Sequence, residues 1–556
     1  MSSTPRNTVL YGRYLLFIAG MGGLLYGIDV GIVSAALLYL KTLDLTVQQT
    51  GSIVAAVFGG SMFSSLVAGA LADWLGRKTL MILSGLMFVS SVAIIVLSQG
   101  YVSLLAGRLL QGISVGIIAV VVPLYLAECL SSKRRGSGTA IFQFMLTFGI
   151  VVAAAAGFFY TQHAEAAISA AAGNPTLIRA AQEHAWRGMF LSVVYPGLIF
   201  FVGSFFLSES PRWLARRGKI DAARTALLRT TSPDEAELEL QEMLDISSEN
   251  KTKASSGSLF KRKYIWPFVL ACVILSLNQT TGINSVISYL VIILKQAGMT
   301  ASHATQGDVA VKILNCVITI VGVALVDRKG RRFLLRLGTG GIVLSLLIGG
   351  ITFYNFESQK RDVLSQVQSA VTGSTLSIPV NTTTLGPAIN NRPMSLTVLY
   401  STGSGSKVAT ALSNDPNPTL VIAADPEATG PLVIKRAQYG PVPTETTGWL
   451  ITACLGLFIS SYAAGPGVVV WLMLTELMPT RIRAMGMGIA LLLNQGISTA
   501  IADLFLPVVG NFGYFAMFFF WAGCTILYFL TAAFLVPETK GKSLEEIEMH
   551  FEKGAA

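Results

Sequence analysis

Long apolar blocks separated by polar segments make up most of this chain. Twelve of the blocks are long enough to cross about 30 Å of hydrocarbon as α-helices. The pattern therefore predicts an all-α polytopic membrane protein with twelve transmembrane helices in two sets of six. We expect the spans at residues 14–40, 50–71, 79–98, 103–127, 138–160, 188–207, 265–293, 308–326, 333–354, 448–475, 484–507 and 513–536.

Two long polar tracts divide this pattern. Residues 211–264 contain short amphipathic stretches, which predict a linker of short helices between the two sets of spans. Residues 356–447, between spans 9 and 10, are rich in Ser, Thr, Asn, Pro and Gly but contain alternating apolar pieces such as Leu396–Tyr400. A small β-structured cap and a disordered loop both fit this insertion. The predicted domains are 1–13 (N-terminus), 14–210 (first bundle), 211–264 (linker), 265–536 (second bundle, with the insertion 356–447) and 537–556 (tail).

One sequence motif occurs in both halves, which indicates an internal duplication. Residues 69–78 (GALADWLGRK) correspond to residues 322–332 (GVALVDRKGRR). Asp73 and Glu128 are 55 positions apart, whereas Asp327 and Glu476 are 149 apart, and the excess of 94 is close to the length of the insertion. A smaller excess is explained by an Ala-, His- and Glu-rich stretch at about 161–183. The halves therefore agree once two insertions are removed.

Charge gives the expected orientation. Charged residues are only 13% of the chain, against roughly 25% in soluble proteins. The short loops that carry Arg and Lys all fall on one side, which the positive-inside rule makes cytoplasmic. We therefore expect both termini inside, the insertion outside, and a plasma or inner cell membrane location. The basic loops on the cytoplasmic side then explain most of the net charge of +10, so the charge does not indicate a nucleic-acid partner.

Targeting, metal and enzyme signals are not evident in the sequence. The first apolar run begins after Arg13 and is too long for a signal peptide. The five cysteines show no metal-ligand spacing, so we expect packing residues, no metal site and no cofactor. The four histidines fall outside the predicted spans, and no phosphate-binding Gly-x-x-x-x-Gly-Lys-Ser/Thr loop occurs, so no enzymatic constellation is predicted. The cysteines are Cys129, Cys272, Cys316, Cys454 and Cys524.

Further motifs follow one another in order along the chain outside the insertion. They include Arg108–Gly112 (RLLQG), Pro123–Glu128 (PLYLAE), Glu209–Arg212 (ESPR), Gln279–Asn284 (QTTGIN) and Pro537–Gly541 (PETKG). Together with the repeated loops, this ordered set resembles the sugar porter family of the major facilitator superfamily. The resemblance implies two six-helix bundles that expose one central site alternately to each side of the bilayer.

Acidic and basic residues recur at matching positions on the predicted inner face. They can form one ion-pair network in each half, which closes the inner side while the outer side is open. In the alternative, the basic residues anchor loops and the acids cap helices. The resemblance implies the gate, formed by Asp73, Arg77, Glu128, Arg135, Glu209, Arg212, Asp327, Arg331, Glu476 and Arg483.

Polar side chains inside apolar helices are the candidates for substrate contact. Neutral amides suit a polyhydroxyl ligand, because they donate to and accept from hydroxyls without the cost of burying a charge. The spans also hold no Lys or Arg that suits a carboxylate or phosphate, so we expect a neutral site. Some amides, in the alternative, only bridge helices. The resemblance implies hexose or pentose contacts from Gln143, Asn278, Gln279, Asn284, Asn315, Trp471 and Asn494.

Three departures from the family pattern bear on the substrate. Asn278 replaces a Gln, Ser288–Tyr289 replaces a pair of tyrosines, and Val468–Val470 replaces prolines before Trp471. The resemblance thus implies a substrate preference that differs from glucose, or a differently hinged helix 10.

Energy coupling is predicted from Asp29, an acid inside span 1. Arg108 in span 4 is its expected partner: pairing favours the ionised carboxylate, and separation favours the protonated one. In the alternative, the two form a permanent structural pair. Proton symporters resemble this chain in carrying Asp at this place, whereas facilitators usually carry Asn. We therefore expect a monomeric sugar/proton symporter. A facilitative uniporter remains open, as does a sugar sensor, which would be expected to have a longer cytoplasmic tail.

Overall fold

The computed structural model describes residues 6–130, 132–249, 262–389, 392–403, 405–414, 418–423, 429–478, 483–540 and 546. Side chains are described for these residues except 6, 7, 132–137, 139, 245–249, 262–264, 327, 475 and 483–485. The prediction of twelve spans is confirmed, because twelve helical segments of the described chain are long and apolar enough to cross a bilayer. They form a mostly helical membrane protein.

The first six spans form one bundle, followed by three short helices. The sixth span is divided at Val193 into α6 and α7. These elements are α1 (Arg6–Ala36), α2 (Val47–Leu75), α3 (Arg77–Leu97), α4 (Tyr101–Cys129), α5 (Ser132–Ala170), α6 (Pro175–Ser192), α7 (Val194–Phe205), α8 (Pro211–Arg216), α9 (Ile220–Leu228) and α10 (Pro233–Glu249), with a 3-10 turn at Leu40–Leu43.

The second bundle has two divided spans, the seventh (α11 and α12) and the tenth (α17 and α18). Two short helices, α15 and α16, belong to the insertion. The elements are α11 (Arg262–Thr280), α12 (Ile283–Gln296), α13 (Ala301–Lys329), α14 (Arg331–Glu357), α15 (Leu364–Ser369), α16 (Thr382–Leu385), α17 (Glu445–Ala464), α18 (Pro466–Leu477), α19 (Arg483–Phe512) and α20 (Tyr514–Phe534).

The insertion folds as a β-structured cap, so the first of the two alternatives for it holds. Its strands form two antiparallel sheets, ordered β1-β7-β4-β5 and β2-β3-β6. Burial alternates along β3, where Leu376 and Ile378 enter a core with Val398 and Tyr439. The strands are β1 (Arg361–Asp362), β2 (Val371–Thr372), β3 (Thr375–Pro379), β4 (Met394–Ser401), β5 (Ser406–Leu412), β6 (Thr419–Ile422) and β7 (Val433–Pro441).

Two faces of the molecule are named here by their loops. The cap face is the end of the bundles that carries the insertion, and the loop face is the opposite end, with the turns at Gly76 and Gly330. One hydrophobic cluster contains the first bundle together with residues from the cap-face parts of α12, α13, α14, α17, α19 and α20. A separate cluster holds the loop-face part of the second bundle, including Leu275, Met473 and Tyr528. The bundles thus share a core toward the cap face.

Several predicted helix boundaries are wrong. The first helix ends at Ala36 instead of residue 40, while α5 continues ten residues past the predicted end at 160. Span 6 begins at Pro175 instead of residue 188. The intervening stretch is rich in Ala, a strong helix former, so it extends both helices beyond the apolar pattern that predicted them. His163 and His184 consequently lie within span helices, and so does His303, because α13 begins at Ala301 instead of residue 308; the prediction that these three histidines lie outside the spans is wrong.

Candidate functional site

A buried ion pair joins α1 to α4 inside the first bundle. Arg108 Nη1 lies 2.8 Å from Asp29 Oδ1, and the side chains are 2% and 0% exposed. The same nitrogen donates to Gln111 Oε1 at 2.8 Å. Asp29 Oδ2 has no hydrogen-bond partner among the described residues. One carboxylate oxygen is therefore paired with Arg108, and the other is buried without a described partner.

A break in the seventh span positions the second group of site residues. Between α11 and α12, Gly282 has φ = +83°, a left-handed conformation that favours glycine. A Cβ at this position would lie 2.3 Å from the Trp521 ring, so the close approach also requires glycine. Discontinuous helices of this kind line substrate sites in secondary transporters. Asn278, Gln279 and Asn284 stand directly on either side of the break.

Four of the predicted amides meet at this break. Asn284 Nδ2 donates to Gln279 Oε1 at 2.9 Å, and Gln279 Nε2 donates to Asn494 Oδ1 at 3.2 Å. Asn278 Nδ2 donates to Tyr462 OH at 3.1 Å, while Asn278 Oδ1 is buried without a described partner. A side-chain amide has both donor and acceptor atoms, so the group can exchange its internal hydrogen bonds for bonds to hydroxyl groups. We call these four residues the amide cluster.

The other three predicted contacts lie on different helices. Gln143 on α5 is half-buried and Asn315 on α13 is buried. These helices face each other, because Thr147 Oγ1, one turn from Gln143, lies 3.7 Å from the Cys316 sulfur. Trp471 lies on α18 and is 42% exposed. It follows the helix break at Gly465 that divides the tenth span. No hydrogen bond described for the three joins them to the amide cluster.

Sequence reasoning missed a second buried ion pair, on α13. Lys312 Nζ lies 2.8 Å from Asp308 Oδ2, with side-chain exposures of 0% and 1%. Lys312 is one helical turn from Asn315, but its charge is compensated by Asp308, so the prediction that no Lys or Arg in the spans suits a carboxylate or phosphate stays a prediction. The ion pair is visible in the sequence as an acid and a base four residues apart, Asp308 and Lys312, in an otherwise apolar run. This spacing places the opposite charges on one face of a helix.

Arg77 lies at the centre of an ion-pair network on the loop face of the first bundle. It pairs with Asp73 at 2.8 Å and with Glu128 at 2.8 Å. The carboxylate of Glu209 accepts the backbone N–H groups of Arg77 and Lys78 at 2.9 and 3.1 Å, at the N-terminus of α3. The network thus links three helices and the segment after α7.

The second bundle repeats this arrangement with different residues. Arg331 Nη2 lies 3.1 Å from Glu476 Oε1, and Glu538 accepts the N–H groups of Arg331 and Arg332 at 3.0 and 3.1 Å. Burial acts to raise the pKa of Glu538, but hydrogen bonds from backbone N–H groups outweigh it and hold the pKa below its ordinary value. Three predicted gate residues have side chains outside the described part of the chain: Arg135, Asp327 and Arg483. A fourth predicted gate residue, Arg212, is half-buried.

Comparison with known proteins decides the family. The family model described as "Sugar (and other) transporter" matches residues 15–389 and 432–551 of the chain. The chain belongs to this sugar transporter family. The stretch left unmatched, 390–431, lies within the cap.

Relatives of this sugar transporter cover nearly its whole length. The probable metabolite transport protein CsbC of Bacillus subtilis is 28% identical over 97% of this chain and 95% of its own. The glucose transporter GlcP of Staphylococcus epidermidis is 29% identical over 96% of each chain. The proton myo-inositol cotransporter hmit-1.1 of Caenorhabditis elegans is 28% identical over 98% of this chain and 91% of its own.

Solved structures identify the fold of this sugar transporter. The inward-open xylose transporter XylE of Escherichia coli superposes with a TM-score of 0.67 at 19% identity, covering 96% of this chain and 98% of XylE. A D-xylose–proton symporter gives a TM-score of 0.63 at 19% identity, over 96% and 100% of the chains. The predicted major facilitator fold is confirmed, and the protein is a multi-pass membrane protein.

Proposed function

We propose that this sugar transporter imports a monosaccharide, a hexose or a pentose, by alternating access and in symport with a proton. The observation that carries the proposal is that one bundle encloses the Asp29–Arg108 pair and the other contains the neutral amide cluster. Both partners, the sugar and the proton, then have chemically suitable sites. We expect the protein to function as a monomer in the plasma or inner cell membrane.

The proton site follows from the cost of burying charge. An ionised carboxylate enclosed in a membrane helix is stable only while a positive charge compensates it. When Arg108 stays at 2.8 Å from Asp29, the pair is neutral as a whole. If the bundles rearrange and lengthen this contact, protonation of Asp29 restores neutrality. Binding and release of the proton can in this way alternate with the conformation.

The sugar site follows from the hydrogen-bonding capacity of the amide cluster. A sugar presents several hydroxyl groups that each donate and accept, and Gln279, Asn284 and Asn494 already bond to one another in the same way. Sugar hydroxyls can replace these bonds without burying an unpaired charge. In the proposal, Gln143 and Asn315 supply further sugar contacts from the facing helices α5 and α13. Trp471 offers a flat apolar surface for the C–H face of a sugar ring.

Orientation and gating complete the proposal. The basic residues of the loop face favour a cytoplasmic position, which places both termini inside and the cap outside. The Arg77 and Arg331 networks, with their carboxylates, then act as paired inner gates. In this structure the described ion pairs of the loop face each lie within one bundle. They therefore hold each bundle's loop-face ends together while leaving the bundles free to separate there.

The proposal is tested by reconstituting the purified protein in liposomes. Labelled hexoses, pentoses and inositols are added one at a time, while a trapped pH-sensitive dye reports proton movement. A symporter acidifies the lumen when its sugar enters, and it accumulates that sugar when the outside is more acidic. Uptake to equilibrium without acidification would favour the uniporter, and binding without any uptake would favour a sensor.

A further inference from the structure

The Asp308–Lys312 pair lies where the two bundles touch. Lys312 Nζ donates to the backbone carbonyl of Gly31 on α1 at 3.1 Å, as well as to Asp308 at 2.8 Å. Ser34 of α1 donates to Asp308 Oδ1 in a long bond of 3.4 Å and accepts from the N–H of Val291 on α12 at 3.2 Å. One turn of α1 is therefore in contact with two helices of the other bundle.

These contacts belong to the cap-face half of the interface. Gly31 and Ser34 lie in the last two turns of α1, and Asp308 and Lys312 lie in the first four turns of α13. Other contacts between the bundles support the same closure: Ser52 on α2 donates to Asp503 on α19 at 2.7 Å. Opening the cap face must therefore separate Lys312 from Gly31.

The two kinds of contact respond differently to opening. Asp308 and Lys312 are four residues apart on one helix, so their ion pair can persist in either state. Only the bonds to Gly31 and Ser34 cross the interface. In the closed state both charges are removed from water, and burial of an ion pair commonly costs more than the mutual attraction returns. In the open state water can hydrate both groups.

We infer that Asp308 and Lys312 are positioning residues of the transport cycle: their hydration favours opening of the cap face, and their polar contacts with α1 set the geometry in which it closes. The inference rests on the alternating access of the proposed function, but not on its sugar or its proton. Gly31 is two positions from Asp29, so the contact also positions the segment of α1 that carries the proposed proton site.

The physical prediction concerns an apolar replacement of the pair. Asp308→Leu with Lys312→Met removes both charges while keeping similar volumes. Burial stabilises apolar side chains, whereas it costs free energy for an ion pair. The double variant should therefore shift the equilibrium between the open and closed cap face toward the closed state by roughly tenfold. A purely structural pair would instead alter the stability of the protein without changing how often this face opens.

The test measures opening through a buried reporter. Val291→Cys places a thiol at a position that is 0% exposed and whose backbone contacts Ser34, so a soluble maleimide reaches it only during opening of this interface. The alkylation rate is followed by mass spectrometry in the full-length protein. Native Cys129, which is 3% exposed within the first bundle, reports global unfolding in the same sample.

We expect the apolar double variant to slow alkylation at position 291 by about tenfold, with no change at Cys129. The neutral polar double variant, Asp308→Asn with Lys312→Gln, should give an intermediate rate, and it replaces the apolar variant if that one does not fold. Removing the exposed pair on the linker, with Arg224→Met and Glu237→Leu, is the matched control and should change nothing. An unchanged or faster rate in the folded variants overturns the inference. Failure of sugar uptake by the wild type would contradict the proposed function, but the alkylation rates at position 291 would still test the inference.

Discussion

Arg108 Nη1 lies 2.8 Å from Asp29 Oδ1, within the first bundle, and the second oxygen of Asp29 has no described partner. The amide cluster, by contrast, belongs entirely to the second bundle. Each bundle therefore encloses an ion pair, Asp29–Arg108 in the first and Asp308–Lys312 in the second, but the amide cluster occurs only in the second. In the proposed mechanism, this division separates proton coupling from sugar recognition.

Replacement of Gln279 by Ala should weaken sugar binding. Gln279 is bonded to both Asn284 and Asn494, so its removal takes hydrogen-bonding groups from the cluster and leaves Asn494 Oδ1 without its described donor. We expect the affinity to fall roughly tenfold, which corresponds to about one buried hydrogen bond. Equilibrium binding of the transported sugar measures it. Asn511→Ala, an exposed amide on the same helix as Asn494, is the matched control, and equal affinities in the two variants would remove Gln279 from the site.

Replacement of Gly76 by Ala should destabilise the protein. Gly76 has φ = +95°, and a Cβ there would lie 2.3 Å from Glu209 Oε2, which caps the start of α3. Strain and the displaced carboxylate should together cost about 1–3 kcal/mol. Gly330→Ala should act alike in the second bundle, because Glu538 is the nearest group there. Thermal unfolding in detergent measures both.

Gly69 supplies the control for these glycine variants. It belongs to the same loop motif but lies inside α2, and a Cβ there would meet nothing within 4 Å. Gly69→Ala should leave the melting temperature unchanged or raise it slightly, because Ala favours helix. Equal effects of Ala at positions 69 and 76 would contradict the assignment of strain to the capped turn.

The contribution of Glu538 should depend on pH. Its pKa in the folded protein lies below the ordinary value of 4.5, so the folded state prefers the ionised carboxylate. The stability it contributes is therefore present above about pH 4.5 and is lost as the pH falls through the folded pKa. The difference in melting temperature between the wild type and Glu538→Gln should be largest near pH 7 and should shrink in acid. Glu242→Gln, on the exposed face of α10, is the control; a difference that grows in acid would contradict this sign.

Deletion of the cap should leave sugar uptake measurable. Arg361 pairs with Tyr439 across β1 and β7, so the ends of a deletion of residues 360–440 are adjacent and a two-glycine link can join them. The cap also has a hydrophobic core of its own. The deletion also removes contacts between the cap and the bundles, including the 2.6 Å pair of Lys407 with Asp44. Complete loss of uptake in a protein that still unfolds cooperatively would show that the cap belongs to the transport pathway.

The fold could be predicted in large part because a bilayer imposes it. Every span must satisfy its own backbone and present apolar side chains for about 20 residues, and both requirements are visible in the sequence. Helix ends were less predictable: α5 continues to Ala170 because an Ala-rich stretch keeps helical geometry outside the apolar pattern. The cap remained ambiguous because alternating apolar pieces among turn residues suit both a sheet and a loop.

The site was predictable where residue type alone restricts the chemistry. An acid in an apolar span needs a partner, and Arg108 was the expected one. Three of the four predicted amides around the break at Gly282 are joined by hydrogen bonds, and their role as sugar contacts stays a prediction. The Asp308–Lys312 pair could not be predicted from substrate chemistry, because its contacts lie at the interface between the bundles. Only the structure relates Lys312 to Gly31 of the other half.

The most direct test of proton-coupled import is accumulation by Asp29→Asn in liposomes with an acidic exterior. Asn preserves the shape of the side chain and can still hydrogen-bond to Arg108, but it cannot exchange a proton. The account predicts that the variant no longer accumulates sugar above the external concentration, while exchange of labelled for unlabelled sugar across the membrane continues. Accumulation by Asp29→Asn at the wild-type level would contradict it.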